Sequence, residues 1–366
     1  VREAVRRAGQ RVMVGFEGQS ASADVRTLIR DYGVGHVILF ARNVAEPEQV
    51  ADLVRELQGI ARDAGHELPL FVAVDQEGGR IARLKAPWTL WPPPRALGRL
   101  GSEEHARRLG QALAAELEAC GILWDLAPVV DVDTNPKNPV IGDRAFSDDP
   151  DLVGRLGAAL IRGLQDGGVA ACAKHFPGHG DTDLDSHLDL PVVTHPRSRL
   201  EDVEMRPFRA AVAAGVAGVM TAHVLYPELD EQRPASLSPR IVSLLREGMK
   251  FPGVIVADDL EMKAIAKGHP AGEAAVLAAE AGCDLLPVSK TPDAQVAALE
   301  ALVRAIESAP PLVEGTSDPD ERIRRLKARY LLPYSDPDPK AARLAAGSLE
   351  RRALAEEIAE LSGLPA

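Results

Sequence analysis

Cysteine is scarce in this 366-residue sequence: Cys120, Cys172 and Cys283 make an odd number, lack any CxxC spacing, and each sits in an apolar stretch. That excludes a disulfide framework and points to buried, reduced thiols in a cytoplasmic compartment. Positive charge is also short. With 42 basic against 54 acidic residues the formal net charge is −12, and a surface that acidic repels a phosphate backbone, so nucleic acid is not an expected partner. No apolar run approaches the ~20 residues that span a bilayer, so no membrane partner is expected either. No signal-peptide pattern opens the chain, although it begins at Val1 without a methionine, and a removed leader stays open. Internal repeats and low-complexity tracts are missing. The chain, at 39.0 kDa, 46% apolar and 26% charged, can bury a large core without a metal or disulfide staple.

Short β-branched or apolar runs recur at 12–16, 36–40, 70–74, 123–131, 169–174, 218–224, 254–257 and 284–288. Most are continuously apolar, as strands covered on both faces of a parallel sheet are. Amphipathic stretches at 46–64, 103–120, 151–166, 200–214 and 292–308 alternate with them. Eight β-then-α units over residues 1–330 predict an α/β fold, a (β/α)8 TIM-like barrel with enlarged βα loops. The competing architecture is a doubly wound open sheet, but its GxGxxG turn is missing. Polar clusters also follow the third, fourth, fifth and seventh strands, as barrel sites require. Residues 331–340 (LLPYSDPDPK) read as a linker and 348–361 as a charged C-terminal helix. That tail either folds back on the barrel or begins a further α/β domain.

The densest polar segment is 174–191, KHFPGHGDTDLDSHLDLP, with His175, His179 and His187 beside Asp181, Asp183, Asp185 and Asp189. Its position directly after a buried strand favours a functional origin. A metal site would need HxxxH on one helical face, and Pro177 with Gly178 and Gly180 prevents that helix. Acid/base chemistry fits better, because Asp185 lies two residues from His187 and a carboxylate there supports an imidazolium. The glycines predict a loop that hinges. In 254–262, VIVADDLEM, a buried strand delivers Asp258 and Asp259 to its C-terminal end, where strand alternation predicts that one faces the mouth. Segment 72–84, VAVDQEGGRIARL, adds Asp75, Arg80 and Arg83 around a glycine pair, and 138–146, NPVIGDRAF, adds Arg144. Carboxylates combined with arginine and lysine at a barrel mouth suit a hydroxyl-rich ligand with an amide or anionic group, as a sugar is.

These four motifs, in this order, resemble glycoside hydrolase family 3, in its bacterial β-N-acetylglucosaminidase (β-N-acetylhexosaminidase) branch, over residues 12–330. The resemblance implies a retaining, exo-acting hydrolase of terminal β-linked N-acetylglucosamine, acting on peptidoglycan-derived muropeptides. It implies Asp258 as nucleophile and His187, paired with Asp185, as general acid/base. It further implies that Asp75, Arg83, Arg144, Lys174 and His175 hold the sugar's hydroxyls and acetamido group, and that no metal or organic cofactor takes part. Other readings are substrate-assisted hydrolysis, a β-glucosidase or phosphorylase of the same family, and a sugar-binding barrel without turnover.

Overall fold

The computed structural model describes residues 2–186, 188–308 and 318–365. Among them, eight parallel strands run in chain order around a barrel: β1 Val12–Val14, β2 His36–Leu39, β3 Phe71–Val74, β4 Trp124–Asp125, β5 Ala170–Phe176, β6 Gly218–Thr221, β7 Val254–Ala257 and β8 Leu286–Val288. β8 pairs with β1, and a parallel bridge from Val256 to Leu285 closes the ring. Every apolar run of the sequence analysis contributes a strand. The run at 123–131 yields only two regular residues, because Pro128 has no N–H to donate. Beyond it the chain rejoins β5 through a bridge between Val129 and Lys174.

Side-chain alternation divides the core into two layers. Phe71 and Ala73 of β3 point into the barrel with Met13, Ile38, Trp124, Cys172, Met220 and Val256, whereas Val72 and Val74 point outward to the helices. All three cysteines are buried and free.

The helices that cover the barrel are set by caps and by close packing. Ser102 accepts from the His105 N–H to open helix Glu103–Ala119, and Asp149 does the same for helix Pro150–Asp166 through Asp151 N–H. These two helices meet at Gly110 and Gly163. A Cβ on Gly163 would lie 2.2 Å from the Arg107 carbonyl oxygen, so the glycines that weaken each helix by about 1 kcal/mol permit the contact. The expected helix at 200–214 is broken into a π turn, Leu200–Glu204, and an α-helix, Arg206–Ala213. Pro207 sits within the first turn of that second helix, the place where a missing N–H costs least.

Helix Pro319–Leu331 plugs the floor of the barrel with Ile323, Leu326 and Leu331. The tail then crosses the outer helices. Residues 332–338 form no regular element, and helices Pro339–Ala345 and Leu349–Ser362 follow. Leu354, Ala355 and Ile358 of the last helix are buried, and Arg99 donates to its Ser362 carbonyl at 3.2 Å. The C-terminal segment thus folds back on the barrel. No described helix is long and apolar enough to cross a membrane.

Candidate active site

The C-terminal ends of the strands converge on a cavity of about 210 Å³. Asp75, Arg83, Arg144, Lys174, His175 and Asp258, six of the eight residues to which the family resemblance gives roles, all line it. The other two are Asp185 and His187. Asp185 lies one residue before Ser186, which is buried and lines the cavity, and His187 lies outside the described residues.

One wall is a chain of alternating charges. The Arg83 guanidinium approaches Asp75 at 3.4 Å, and Asp75 accepts from Lys174 Nζ at 2.8 Å. Lys174 Nζ also reaches Glu77 at 2.7 Å, and Glu77 takes a two-pronged contact from Arg144, Nε and Nη2 at 2.8 Å each. Burial alone would raise the Glu77 carboxyl, but the charges of Arg144 and Lys174 outweigh it and hold the group far below the ordinary carboxylate range. Burial likewise opposes the Lys174 charge, and Asp75 and Glu77 keep its ammonium above the ordinary lysine value. Glu77 was not foreseen as a site residue. The signal was available, since Glu77 stands two residues after Asp75 inside the motif VAVDQEGGRIARL.

A second wall is built from the histidine-rich loop. β5 is irregular between Lys174 and Phe176, and a bulge re-aims side chains; here both Lys174 and His175 face the cavity. Behind them Asp131 is fully buried. Its Oδ1 accepts the N–H groups of His175 (3.1 Å) and His179 (2.7 Å), and its Oδ2 meets His175 Nδ1 at 2.8 Å. Burial works to raise this carboxyl, but the two histidines hold it below its ordinary value.

His179 is pushed down to about 4 by burial and by its neighbour His175, so its ring is neutral. Its Nδ1 pairs with Thr182 Oγ1 at 2.9 Å and its Nε2 with Ser186 Oγ at 3.2 Å. Asn138 donates to the carbonyls of His179 (2.9 Å) and Gly180 (3.0 Å), tying the loop that carries Arg144 to this one. Gly180 serves close approach, since a Cβ there would lie 1.7 Å from the Val132 carbonyl oxygen. Among the described residues no group of three or more His, Cys, Asp or Glu side chains is arranged to hold a metal ion.

At the end of β7 both Asp258 and Asp259 border the cavity. β7 ends at Ala257, so the pair lies past the last regular residue and strand alternation no longer separates them. The Asp258 N–H donates to Thr221 O at 3.2 Å, and its Oδ1 accepts the Asp259 N–H at 2.8 Å. Asp259 is turned aside by Ser289, whose hydroxyl donates to Oδ2, and by the Glu261 N–H on Oδ1 at 3.0 Å. Burial raises the Asp259 carboxyl despite these contacts. His223 donates from Nε2 to the Asp259 carbonyl at 2.9 Å, with Ser236 Oγ on Nδ1 at 2.6 Å, which locks the backbone of the pair.

A closed parallel barrel whose strand ends gather carboxylates, cations and histidines around a sugar-sized cavity has the architecture of a (β/α)8 glycoside hydrolase. Residues 5–326 match the glycosyl hydrolase family 3 N-terminal domain, and the chain belongs to that family. A β-hexosaminidase of Thiobacillus denitrificans is 40% identical over 288 residues, covering 77% of this chain and 79% of that protein. Among solved structures, a family 3 β-N-acetylglucosaminidase from Paenibacillus sp. superposes with a TM-score of 0.88 at 44% identity, over 99% of this chain and 69% of that one. NagZ from Neisseria gonorrhoeae, solved with N-trifluoroacetyl-D-glucosamine, superposes with a TM-score of 0.78 at 32% identity, over 96% and 98% of the two chains.

Proposed function

We propose that this protein is a retaining β-N-acetylhexosaminidase that releases terminal N-acetylglucosamine through a covalent glycosyl-enzyme. The observation that carries the reading is the meeting of Asp258 with Lys174, His175, Arg83 and Arg144 in one cavity at the barrel mouth. Relatives bearing the β-hexosaminidase and β-N-acetylglucosaminidase names support the sugar class. In the first step Asp258 attacks C1 while His187, charge-supported by Asp185, protonates the departing glycosidic oxygen. In the second, water loses a proton to the now neutral His187 and opens the ester at C1, regenerating Asp258. Arg144, Lys174 and Arg83, each already tied to a carboxylate, are held still to meet hydroxyl and acetamido oxygens without reorganising. The resemblance to the bacterial branch of the family is what supports peptidoglycan-derived muropeptides as the substrate class.

The test is an aryl N-acetylglucosaminide assay, run beside the aryl glucoside and with and without phosphate. Release of N-acetylglucosamine with retained configuration is expected, together with a fluorosugar adduct on Asp258. A missing adduct with tight inhibition by an oxazoline analogue would transfer the attack to the substrate's own acetamido oxygen. Removal of His187 is expected to slow hydrolysis least for substrates whose leaving groups depart unprotonated.

A further inference from the structure

Asp131 carries none of the roles above, yet it is one of the most constrained groups at the mouth. It is a carboxylate at 0% exposure, and each of its oxygens is committed. Oδ1 receives two backbone N–H groups, from His175 and His179, and Oδ2 receives the His175 ring. A deprotonated carboxylate only accepts hydrogen bonds, so the proton between Oδ2 and His175 belongs to Nδ1. At a pH where the ring is neutral it carries one proton, and with that proton on Nδ1 the Nε2 atom is an acceptor. The His175 ring lines the sugar cavity, and among the described residues Nε2 has no hydrogen-bond partner.

We propose that Asp131 is a positioning residue that fixes the tautomer of His175, so that the ring presents Nε2 as an acceptor for a sugar hydroxyl. The same carboxylate holds the His179 N–H, and the His179 ring meets Ser186 between Asp185 and His187. One buried group therefore orients the sugar-binding histidine and anchors the start of the segment assigned to acid/base work. The proposal rests on the reading of the cavity as a sugar site, but the tautomer can be measured without any turnover.

Asp131→Asn is the informative substitution because the two carboxylate oxygens face different partners. The amide oxygen can take over both backbone N–H groups, and the NH2 then lies against His175 Nδ1. Two donors cannot face each other, so the ring proton moves to Nε2 and the cavity meets a donor where it had an acceptor. The opposite amide orientation would leave two buried N–H groups against an NH2, the costlier arrangement.

Long-range proton–nitrogen spectra of the histidine-labelled enzyme, recorded well above the ordinary imidazole value of about 6.5, read each tautomer, and His175→Gln assigns the signal. The parent is expected to show Nδ1–H, with the Nε2 resonance shifting on addition of N-acetylglucosamine. Asp131→Asn is expected to show Nε2–H, with kcat/KM for the aryl N-acetylglucosaminide falling about tenfold to hundredfold, chiefly through KM. In the His175→Gln background the same substitution is expected to add less than about threefold. A parent ring protonated at Nε2, alone or together with Nδ1, overturns the proposal, as does an Asp131→Asn variant that keeps the parent tautomer. If Asp131→Asn does not fold, the parent spectrum with and without sugar still decides. A parent that shows Nδ1–H but has no activity on N-acetylglucosaminides defeats the functional reading and leaves the tautomer assignment standing.

Discussion

The two ends of the barrel both bury charge, and they use it in opposite ways. At the floor, Asp284 accepts from Arg322 at 2.6 Å and Arg246 at 2.7 Å, and its Oδ2 also takes the Ile255 N–H at 2.8 Å. Arg11 adds another guanidinium, itself buried and spent on the carbonyls of Cys283 (3.0 Å) and Asp284 (3.4 Å). These groups staple the beginnings of β1, β7 and β8 to the plugging helix. At the mouth the alternation Arg83, Asp75, Lys174, Glu77, Arg144 is likewise linked by ion pairs, but its members also line a cavity that holds Asp258. Size does not mark the site. A larger cavity, about 710 Å³, opens beside helix Glu3–Gln10 and the plugging helix, where Arg6 pairs with Glu3 and Arg7 with Asp320. Buried charge is costly wherever it occurs; what distinguishes the mouth is that the ordered groups face a ligand-sized space.

Four substitutions sharpen this contrast. The largest effect is expected from Asp258→Asn, which should lower kcat by about 10⁴-fold or more while leaving the thermal transition in place; a variant that retains substantial turnover removes the assigned nucleophile. Asp284→Ala at the floor should do the reverse, costing about 3–5 kcal/mol of stability by leaving guanidinium groups uncompensated, with kcat per folded molecule unchanged. Urea unfolding and active-site titration on the same sample separate the two quantities, and a fall in kcat would mean that the floor reaches the chemistry.

Glu77→Gln should combine both behaviours. It breaks the contact with Arg144 and weakens that with Lys174, at about 2–3 kcal/mol of stability, and calorimetry should find weaker binding of N-acetylglucosamine. Unaltered binding would reduce Glu77 to a structural staple like Asp284.

The last effect is on pH dependence alone and concerns Lys327, whose Nζ is buried against Gln10 Oε1 at 3.0 Å and Gly35 O at 3.4 Å. Burial pushes it down to about 7. The unfolded chain, with an ordinary value near 10.4, therefore binds the extra proton between the two values, and stability rises with pH across that window by up to about 1.4 kcal/mol per unit. Below about pH 7 the penalty is present in full. Lys327→Met should remove this slope, stabilising the protein most near pH 6 and least near pH 10. Parallel stability profiles for parent and variant would show that the ammonium is solvated after all.

The barrel was legible because each element carries its signal locally. Continuous apolar runs mark strands buried on both sides, and long amphipathic runs such as that of helix Glu103–Ala119 mark the outer layer. The π turn at Leu200–Glu204 was not legible, since an apolar pattern does not report a shifted hydrogen-bond register, whereas Pro128 marked a missing donor inside the run at 123–131.

Sequence alone determined the fold class, the order of the four motifs and the residue types available for chemistry, because strand periodicity and motif spacing are properties of neighbouring residues. It also brought Asp75, Arg83, Arg144, Lys174, His175 and Asp258 forward as one set, through the resemblance of the four motifs to glycoside hydrolase family 3. Tertiary structure decided which charges pair. Lys174 is 99 residues from Asp75, Arg144 is 67 from Glu77 and His175 is 44 from Asp131, so closure of the barrel, and no local pattern, makes these contacts. The same closure gave Asp131 and Glu77 their roles, since a carboxylate becomes an anchor only when burial strips it of water and leaves particular donors in its place.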